Sequence, residues 1–158
     1  MKKARLILSA SMLSIAAFSA VTFSSCSKDE EICLVGYAGD DCKTEVRKDY
    51  FNTYRGTGND SDGGTYTDWG MVFTTLGTDV TNMKLAMVDN NDITRMSFNV
   101  KLNTNTTFTV EEKVDGTSTW TGQGTVNSTN ASVTLIEKDA SGTPVQTYTF
   151  TFANMIKE

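Results

Sequence analysis

The sequence predicts an all-β domain in which about eight antiparallel strands follow one another as an up-and-down meander and close into a small barrel. Apolar residues alternate with polar ones in short runs throughout residues 46–158, and this is the period of a half-buried strand. Clusters of Asn, Asp, Gly and Ser separate the runs and favour turns. Threonine, which prefers pleated and half-buried positions, is abundant, and no segment keeps a helical period over more than two turns.

The clearest strand spans residues 96–102, where one face is entirely apolar and the other carries Ser97, Asn99 and Lys101. The other runs of alternation, in chain order, are residues 50–58, 69–73, 83–87, 107–111, 120–126, 133–135 and 146–152. Because the links between these runs are short, neighbouring strands must be antiparallel. A meander with one apolar face per strand can close into a barrel, which leaves no edge exposed. A two-sheet β-sandwich is the alternative that the same alternation allows.

The interior of this barrel is predicted to be filled by its own side chains. Eight strands lie at the boundary between filled and ligand-holding barrels, so strand number does not decide. Large aromatic residues and several methionines occupy the inward positions, and the strands are short for a ligand-holding cup. Gly122 and Gly124 also have inward positions, and we expect them to let a neighbouring aromatic ring pack against the backbone.

Residues 1–25 have the layout of a secretory signal peptide, with three basic residues before an apolar stretch. Four serines interrupt the stretch, which makes it a poor membrane span, since a span needs about 20 mostly apolar residues. Two small residues then stand directly before Cys26. This ending resembles the lipobox of bacterial lipoproteins, which implies that Cys26 carries the lipid and begins the mature protein. The alternative is an ordinary secretory signal followed by an incidental cysteine.

The mature protein would begin with an acidic segment, residues 26–32. The five positions after the lipidated cysteine are Ser27, Lys28, Asp29, Glu30 and Glu31. A lysine followed by acidic residues at this place resembles the signal that exports lipoproteins of the Bacteroidota phylum. The resemblance implies an outer-membrane protein that is anchored by its lipid and faces the cell exterior, with the membrane as its partner. The alternative is a solvated charged linker.

Charge and composition exclude several classes of function. Three of the 14 basic residues lie in the signal peptide, so the mature chain has 11 basic against 19 acidic residues and a net charge of −8. Such an acidic surface argues against nucleic acid as a partner. The chain has no histidine, which removes the commonest general base and the commonest transition-metal ligand. We therefore expect no cofactor and no metal site.

A short cysteine hairpin at residues 33–42 precedes the barrel. With Cys26 lipidated, Cys33 and Cys42 remain as one pair in a compartment where disulfides persist. The pattern C-x2-G-Y-x-G-x2-C resembles the last disulfide loop of an EGF-like module. The resemblance implies that Gly36 and Gly39 allow the turn and that Tyr37 covers the loop. We expect the hairpin to be a stapled spacer between the membrane and the barrel.

The barrel region also resembles a family. The phrase Tyr50-Phe-Asn-Thr-Tyr54-Arg-Gly56-Thr-Gly58 follows the hairpin, Trp120-Thr-Gly122-Gln-Gly124-Thr-Val126 precedes Val133-Thr-Leu135, and Phe150-Thr-Phe152 ends the alternation. Together these residues resemble the lipocalin-like (calycin-like) β-barrel lipoproteins of the Bacteroidota. The resemblance implies one lipocalin-like barrel over residues 46–158.

Three classes of function follow from these observations. The leading expectation is a non-enzymatic surface lipoprotein with a structural or interaction role, for which a surface protein is a candidate partner. The alternative is a binding module for a small apolar ligand or a glycan, and its candidate binding residues are Trp69, Met71, Met87, Phe98 and Trp120. The distant alternative is a carboxylate-dependent glycoside hydrolase that uses Glu112 and Glu137, which share inward positions at strand ends.

Overall fold

The alternating region forms a closed antiparallel barrel in the computed structural model, which describes residues 32–156, with side chains described up to residue 153. The signal peptide, Cys26 and the export segment at residues 27–31 therefore lie outside the described residues. Two short strands and a 3-10 helix come first: β1 (Tyr37–Ala38), β2 (Thr44–Glu45) and the helix Val46–Tyr50. The barrel strands are β3 (Thr53–Asp60), β4 (Thr65–Thr75), β5 (Asn82–Val88), β6 (Thr94–Leu102), β7 (Thr107–Asp115), β8 (Ser118–Val126), β9 (Asn130–Lys138) and β10 (Pro144–Ile156).

Each barrel strand pairs with the next along the chain, and β10 pairs with β3 to close the sheet. All of these pairings are antiparallel. The predicted meander is thus confirmed, and the β-sandwich alternative is wrong. The strand predicted to begin at Tyr50 begins instead at Thr53, because residues 46–50 form the 3-10 helix.

The core is a single cluster of inward side chains contributed by every barrel strand. Its largest fully buried members are Tyr54, Met71, Phe73, Met83, Leu85, Met87, Val100, Phe108, Val126, Leu135, Phe150 and Phe152. Gly124 takes the role expected of it, but Gly122 does not, because a Cβ there would meet the carbonyl of Thr134 and the side chain of Leu135 rather than a ring. A Cβ at Gly124 would overlap the ring of Phe108, and a Cβ at Gly58 would overlap the ring of Phe150. Both rings therefore pack against bare backbone, which keeps the interior filled.

The 3-10 helix and the cysteine hairpin pack against one end of the barrel, which we call the hairpin end. Cys33 and Cys42 form the predicted disulfide. The amide of Gly36 donates to Asn105 Oδ1 at 2.8 Å, and Asn105 Nδ2 donates to the carbonyl of Tyr37 at 2.9 Å. Because Asn105 lies in the turn between β6 and β7, the hairpin is docked on the barrel. Whether the hairpin also acts as the predicted spacer stays a prediction, but it does not move independently of the barrel turn that it contacts.

The helix adds a buried cation to the same end. Arg47 is 6 % exposed, and its Nη1 donates to the carbonyls of Asp79 at 2.7 Å and Asn82 at 3.0 Å. Its Nε pairs with Glu45 Oε2 at 3.2 Å. Tyr50, in the last position of the helix, is buried and donates its hydroxyl to the carbonyl of Asn105. These hydrogen bonds satisfy the buried charge and join the helix to two barrel turns.

Within the described part of the chain, no helix has the length and hydrophobicity that crossing a membrane requires.

Candidate functional site

The end of the barrel opposite the hairpin, which we call the mouth, is lined by aromatic side chains. A continuous series of rings runs across it. Phe98 lies 6.1 Å from Trp120, Trp120 lies 5.4 Å from Tyr148, and Tyr148 lies 6.2 Å from Tyr66, measured between ring centroids. Tyr66 meets Trp69 edge to face at 5.0 Å. Rings at these distances attract one another beyond the area that they bury.

The outer rings of this series are half-buried, whereas the rings beneath them are fully buried. Trp69 stacks on Phe150 at 5.5 Å, and Phe150 stacks in turn on Phe152 at 6.0 Å. Phe150 and Phe152 have no exposed surface. Trp69 and Trp120 keep part of their surface in solvent. The mouth therefore offers aromatic surface on top of a packed core.

Asp60, at the end of β3, supplies a carboxylate to the mouth. The amides of Asp62 and Gly64 donate to its Oδ1 at 3.0 and 2.8 Å, and the hydroxyl of Tyr66 donates to its Oδ2 at 2.8 Å. The Tyr66 hydrogen bond, with that of Gly64, lowers the pKa of Asp60 below its ordinary value. Burial, together with the Asp60 carboxylate, raises the pKa of Tyr66 to about 12. At neutral pH the pair is thus an ionised acid and a neutral phenol.

Glu137, near the end of β9, supplies the second carboxylate. Ser118 Oγ donates to its Oε1 at 2.6 Å. The hydroxyl of Tyr148 lies 2.6 Å from Gln146 Oε1 and 3.4 Å from Glu137 Oε2. Burial, and then the charge of Glu137, raises the pKa of Tyr148. Asp60 and Glu137 are therefore each hydrogen-bonded to neighbouring hydroxyl groups that stay protonated near neutral pH.

The five candidate binding residues divide between two places. Met71 and Met87 are paired across β4 and β5 and are completely buried. Phe98 is 3 % exposed and belongs to the same core. Trp69 and Trp120 instead lie at the mouth, partly exposed and packed against the core. The sequence pattern predicted that all five face inward, but their depth in the barrel separates the buried residues from those that a ligand can reach.

Glu112 does not take the inward position predicted for it. Val110 pairs with Gly122, and the next pair on the ladder is Lys113 with Trp120, so two residues of β7 face one residue of β8. This β-bulge shifts the alternation by one residue. Glu112 is exposed in a groove on the outer face, beside Ser97 and Asn99 of β6. Lys113 takes the inner position, with its Nζ 5.6 Å from the centroid of the Phe98 ring.

Two grooves in the described part of the chain lie on the outer face of the barrel. One of about 420 Å³ lies beside β3 and β4, between Asn52 and Thr74. Another of about 390 Å³ crosses β8 and β9, between Gln123 and Ser132. Neither is lined by the buried methionines or by Phe98.

Among residues 32–156 there is also no group of three or more His, Cys, Asp or Glu side chains arranged to hold a metal ion. No family model matches the chain, and no curated protein matches it.

Sequence reasoning missed Tyr66, which the structure places at the centre of the mouth. A second β-bulge explains why. Gly56 pairs with Trp69 and Gly58 pairs with Tyr66, so two residues of β4 face Thr57. Asp68, within this bulge, has a positive φ of 55°. Strict alternation from Trp69 places Tyr66 outside, whereas the bulge brings both rings inside.

Proposed function

We propose that the protein is a lipid-anchored cell-surface lipoprotein with a non-enzymatic, structural or interaction role. The observation that carries the proposal is Cys26, which follows two small residues at the end of a signal-peptide layout. The lysine and three acidic residues at 28–31 support export to the outer face of the outer membrane. The cysteine hairpin, similar to the last EGF-like loop, and the lipocalin-like barrel are consistent with a Bacteroidota surface lipoprotein.

The interior of the barrel supports a role that does not depend on an enclosed small molecule. An apolar ligand bound at Met71, Met87 and Phe98 would have to displace side chains that are already packed. A glycoside hydrolase needs two carboxylates that face one substrate, and Glu112 lies on the outer face while Glu137 lies at the mouth. The leading proposal requires neither arrangement.

The lipid anchor is tested by Cys26→Ser, with Cys33→Ser/Cys42→Ser as the matched control. Both variants replace cysteine by serine, but only the first loses the proposed acyl acceptor, whereas the control loses the disulfide. We expect Cys26→Ser to leave the membrane fraction and to lose incorporation of labelled fatty acid, and the control to keep both. Fatty-acid labelling that persists in Cys26→Ser would contradict the proposal.

Export to the outer face is tested by changing residues 28–31 to alanine. We expect this variant to stay in the membrane fraction but to become resistant to protease added to intact cells. The native chain should be degraded in the same assay. A variant that remains fully sensitive to external protease would show that the acidic segment is only a linker.

Glycan binding at the mouth is a second candidate function, because partly exposed rings and hydrogen-bonded carboxylates lie side by side there. The CH groups of a sugar pack on ring surfaces, and its hydroxyls pair with carboxylate and amide groups. Trp120 and Glu137, which pair across β8 and β9, bring both kinds of group together.

The test is calorimetric titration of the mature protein with a panel of neutral oligosaccharides. We expect Trp120→Ala to abolish any binding that is found, and Leu34→Ala, exposed at the hairpin end, to leave it unchanged. Binding that survives Trp120→Ala would place the glycan elsewhere.

A further inference from the structure

The cysteine hairpin exposes three apolar side chains close together. Ile32 is 97 % exposed, Leu34 is 80 % exposed and Val35 is 38 % exposed. We call these three residues the hairpin edge. Single exposed apolar residues need no explanation. The other large exposed apolar side chains of the described chain, Ile93 and Val145 among them, lie at separate turns or strand ends.

The two residues of the hairpin edge that lie inside the disulfide loop, Leu34 and Val35, are held in a fixed position relative to the barrel. The disulfide closes the loop, and the amide of Tyr37 donates to the carbonyl of Leu34 at 3.0 Å. The amide of Val46 donates to the carbonyl of Gly36 at 2.9 Å, and Asn105 binds the hairpin to the turn between β6 and β7. Because the loop is already ordered, the exposure of these apolar side chains to water is not offset by loop entropy. Burying them on binding would therefore carry no further cost for ordering the loop.

The position of Cys26 determines which surface the edge can reach. Only five residues separate Cys26 from Ile32, so even a fully extended chain spans about 20 Å between them. The nine residues of β8, tilted as barrel strands are, give the barrel a height of roughly 20–25 Å. A lipid on Cys26 therefore keeps the hairpin end beside the membrane, with the mouth at the far end.

We propose that Ile32, Leu34 and Val35 insert into the headgroup–acyl boundary of the bilayer that holds the lipid of Cys26. The barrel then stands with its hairpin end on the membrane and its mouth facing away from it. This inference rests on the proposed lipid anchor. Apolar side chains at a membrane surface reach about 5–10 Å into this boundary.

The charges at the hairpin end indicate that the insertion is apolar rather than electrostatic. Lys43 pairs with Asp41 at 3.5 Å, and Lys48 pairs with Glu45 at 3.4 Å. Each cation near the edge thus has an acidic neighbour, and no excess of positive charge is available for anionic lipids. We therefore expect insertion into uncharged phosphatidylcholine, with little change when the ionic strength rises to about 1 M, where charges are screened beyond about 3 Å.

The experiment compares Leu34→Trp with Val145→Trp in the lipidated mature protein. Val145 is 52 % exposed at the start of β10, at the mouth. Both variants keep Trp69 and Trp120 as a common background. Each is reconstituted in vesicles of phosphatidylcholine, either plain or brominated on its acyl chains, and the fluorescence lost to bromine is measured. We expect quenching of the tryptophan introduced by Leu34→Trp at both salt concentrations, and none of that introduced by Val145→Trp.

Equal quenching in the two variants, or quenching that disappears at high salt, would overturn the proposed insertion. Flotation of the same samples tests the anchor separately. A second arm holds the mature chain, from residue 27 onward, on the vesicles through an N-terminal hexahistidine tail and a nickel-chelating lipid. If the native chain fails to float but position 34 is quenched in this arm, the proposed insertion is supported and the proposed lipid anchor is contradicted. If the native chain floats but position 34 is quenched in neither arm, the lipid anchor is supported and the insertion is contradicted.

Discussion

The two ends of the barrel are closed in different ways. At the hairpin end, a segment of chain covers the opening. The hydrogen bonds that join it to the barrel turns pair main-chain groups with the side chains of Asn105, Tyr50 and Arg47. At the mouth no such segment is present among the described residues, and side chains fill the opening, with aromatic rings beneath hydrogen-bonded carboxylates. The polar groups that join this segment to the barrel are paired with one another, whereas the side chains at the mouth leave rings and carboxylates near solvent. This difference makes the mouth the surface on which the proposed glycan binding is to be tested.

The largest effect should come from the ring on which the mouth rests. Phe150 has no exposed surface and contacts Tyr66, Trp69 and Phe152. Phe150→Ala would open a cavity below the mouth, and we expect it to lower the free energy of unfolding by about 3–5 kcal/mol. Urea denaturation measures this change. Val145→Ala, on the same strand but exposed, should change it by less than about 0.5 kcal/mol.

The same variant sharpens the comparison between the two ends. We expect amide exchange of Phe150→Ala to quicken first at the mouth, because the lost ring supports that end directly. The amide of Gly36 should keep its protection until global unfolding. Simultaneous loss of protection at Gly36 would show that the two ends do not behave as separate seals.

A smaller effect is expected at the hairpin end. Asn105→Ala removes the acceptor of the Gly36 amide and the donor to the Tyr37 carbonyl. Gly36 is buried, so its amide would lose its partner in a place where water is scarce. We expect the free energy of unfolding to fall by about 1–3 kcal/mol, measured by urea denaturation. Asn103→Ala is the matched control, because Asn103 is exposed in the same turn region and bonds only Thr109 through its side chain. Equal effects of the two variants would contradict the docking of the hairpin.

The fold could be predicted from the sequence, whereas the mouth could not. Period-two alternation and short links predict an antiparallel meander. The large side chains at inward positions predict that the meander closes into a barrel whose interior they fill. The mouth depends on two β-bulges, one at Asp68 and one after Val110, each of which reverses the alternation along part of a strand. A bulge adds one residue to the strand and leaves no distinct sequence pattern here. Glu112 was therefore assigned to the wrong face, and Tyr66 was not recognised as part of the mouth.

The docking of the hairpin was also beyond the sequence. Asn105 lies 69 residues after Gly36, in a run of Asn and Thr that predicts an ordinary turn. Its role depends on which barrel end receives the N-terminal segment. The burial of Arg47 could not be predicted either, because in the sequence an arginine close to Glu45 looks the same as an exposed ion pair.

The smallest expected effect concerns the polar part of the mouth and is a change in titration. Tyr66→Phe keeps the ring but removes the hydroxyl that donates to Asp60. That hydrogen bond is the main cause of the lowered pKa of Asp60, so the pKa should rise towards its ordinary value of 3.8 in the variant. Carbon-13 NMR of the Asp60 carboxyl measures it. A carboxyl group whose pKa is lowered in the folded state stabilises that state at pH values above its ordinary pKa. This stabilisation is lost as the pH falls through the lowered pKa. The variant has less of it to lose, so its stability should fall slightly less in acid.

Tyr66 itself affects the stability of the folded state at alkaline pH. Its pKa is raised from 10.0 to about 12 in the folded state, so its stabilising contribution is complete below pH 10 and decreases as the pH rises from there to about 12. Phenylalanine does not titrate, and Tyr66→Phe should therefore weaken the alkaline decline in stability in this window. Tyr37→Phe, at the hairpin end, is the control for the loss of a phenol. An Asp60 pKa that is the same in Tyr66→Phe and in the native protein would mean that the carboxylate is held by the amides of its own turn. The mouth would then be closed by its rings alone.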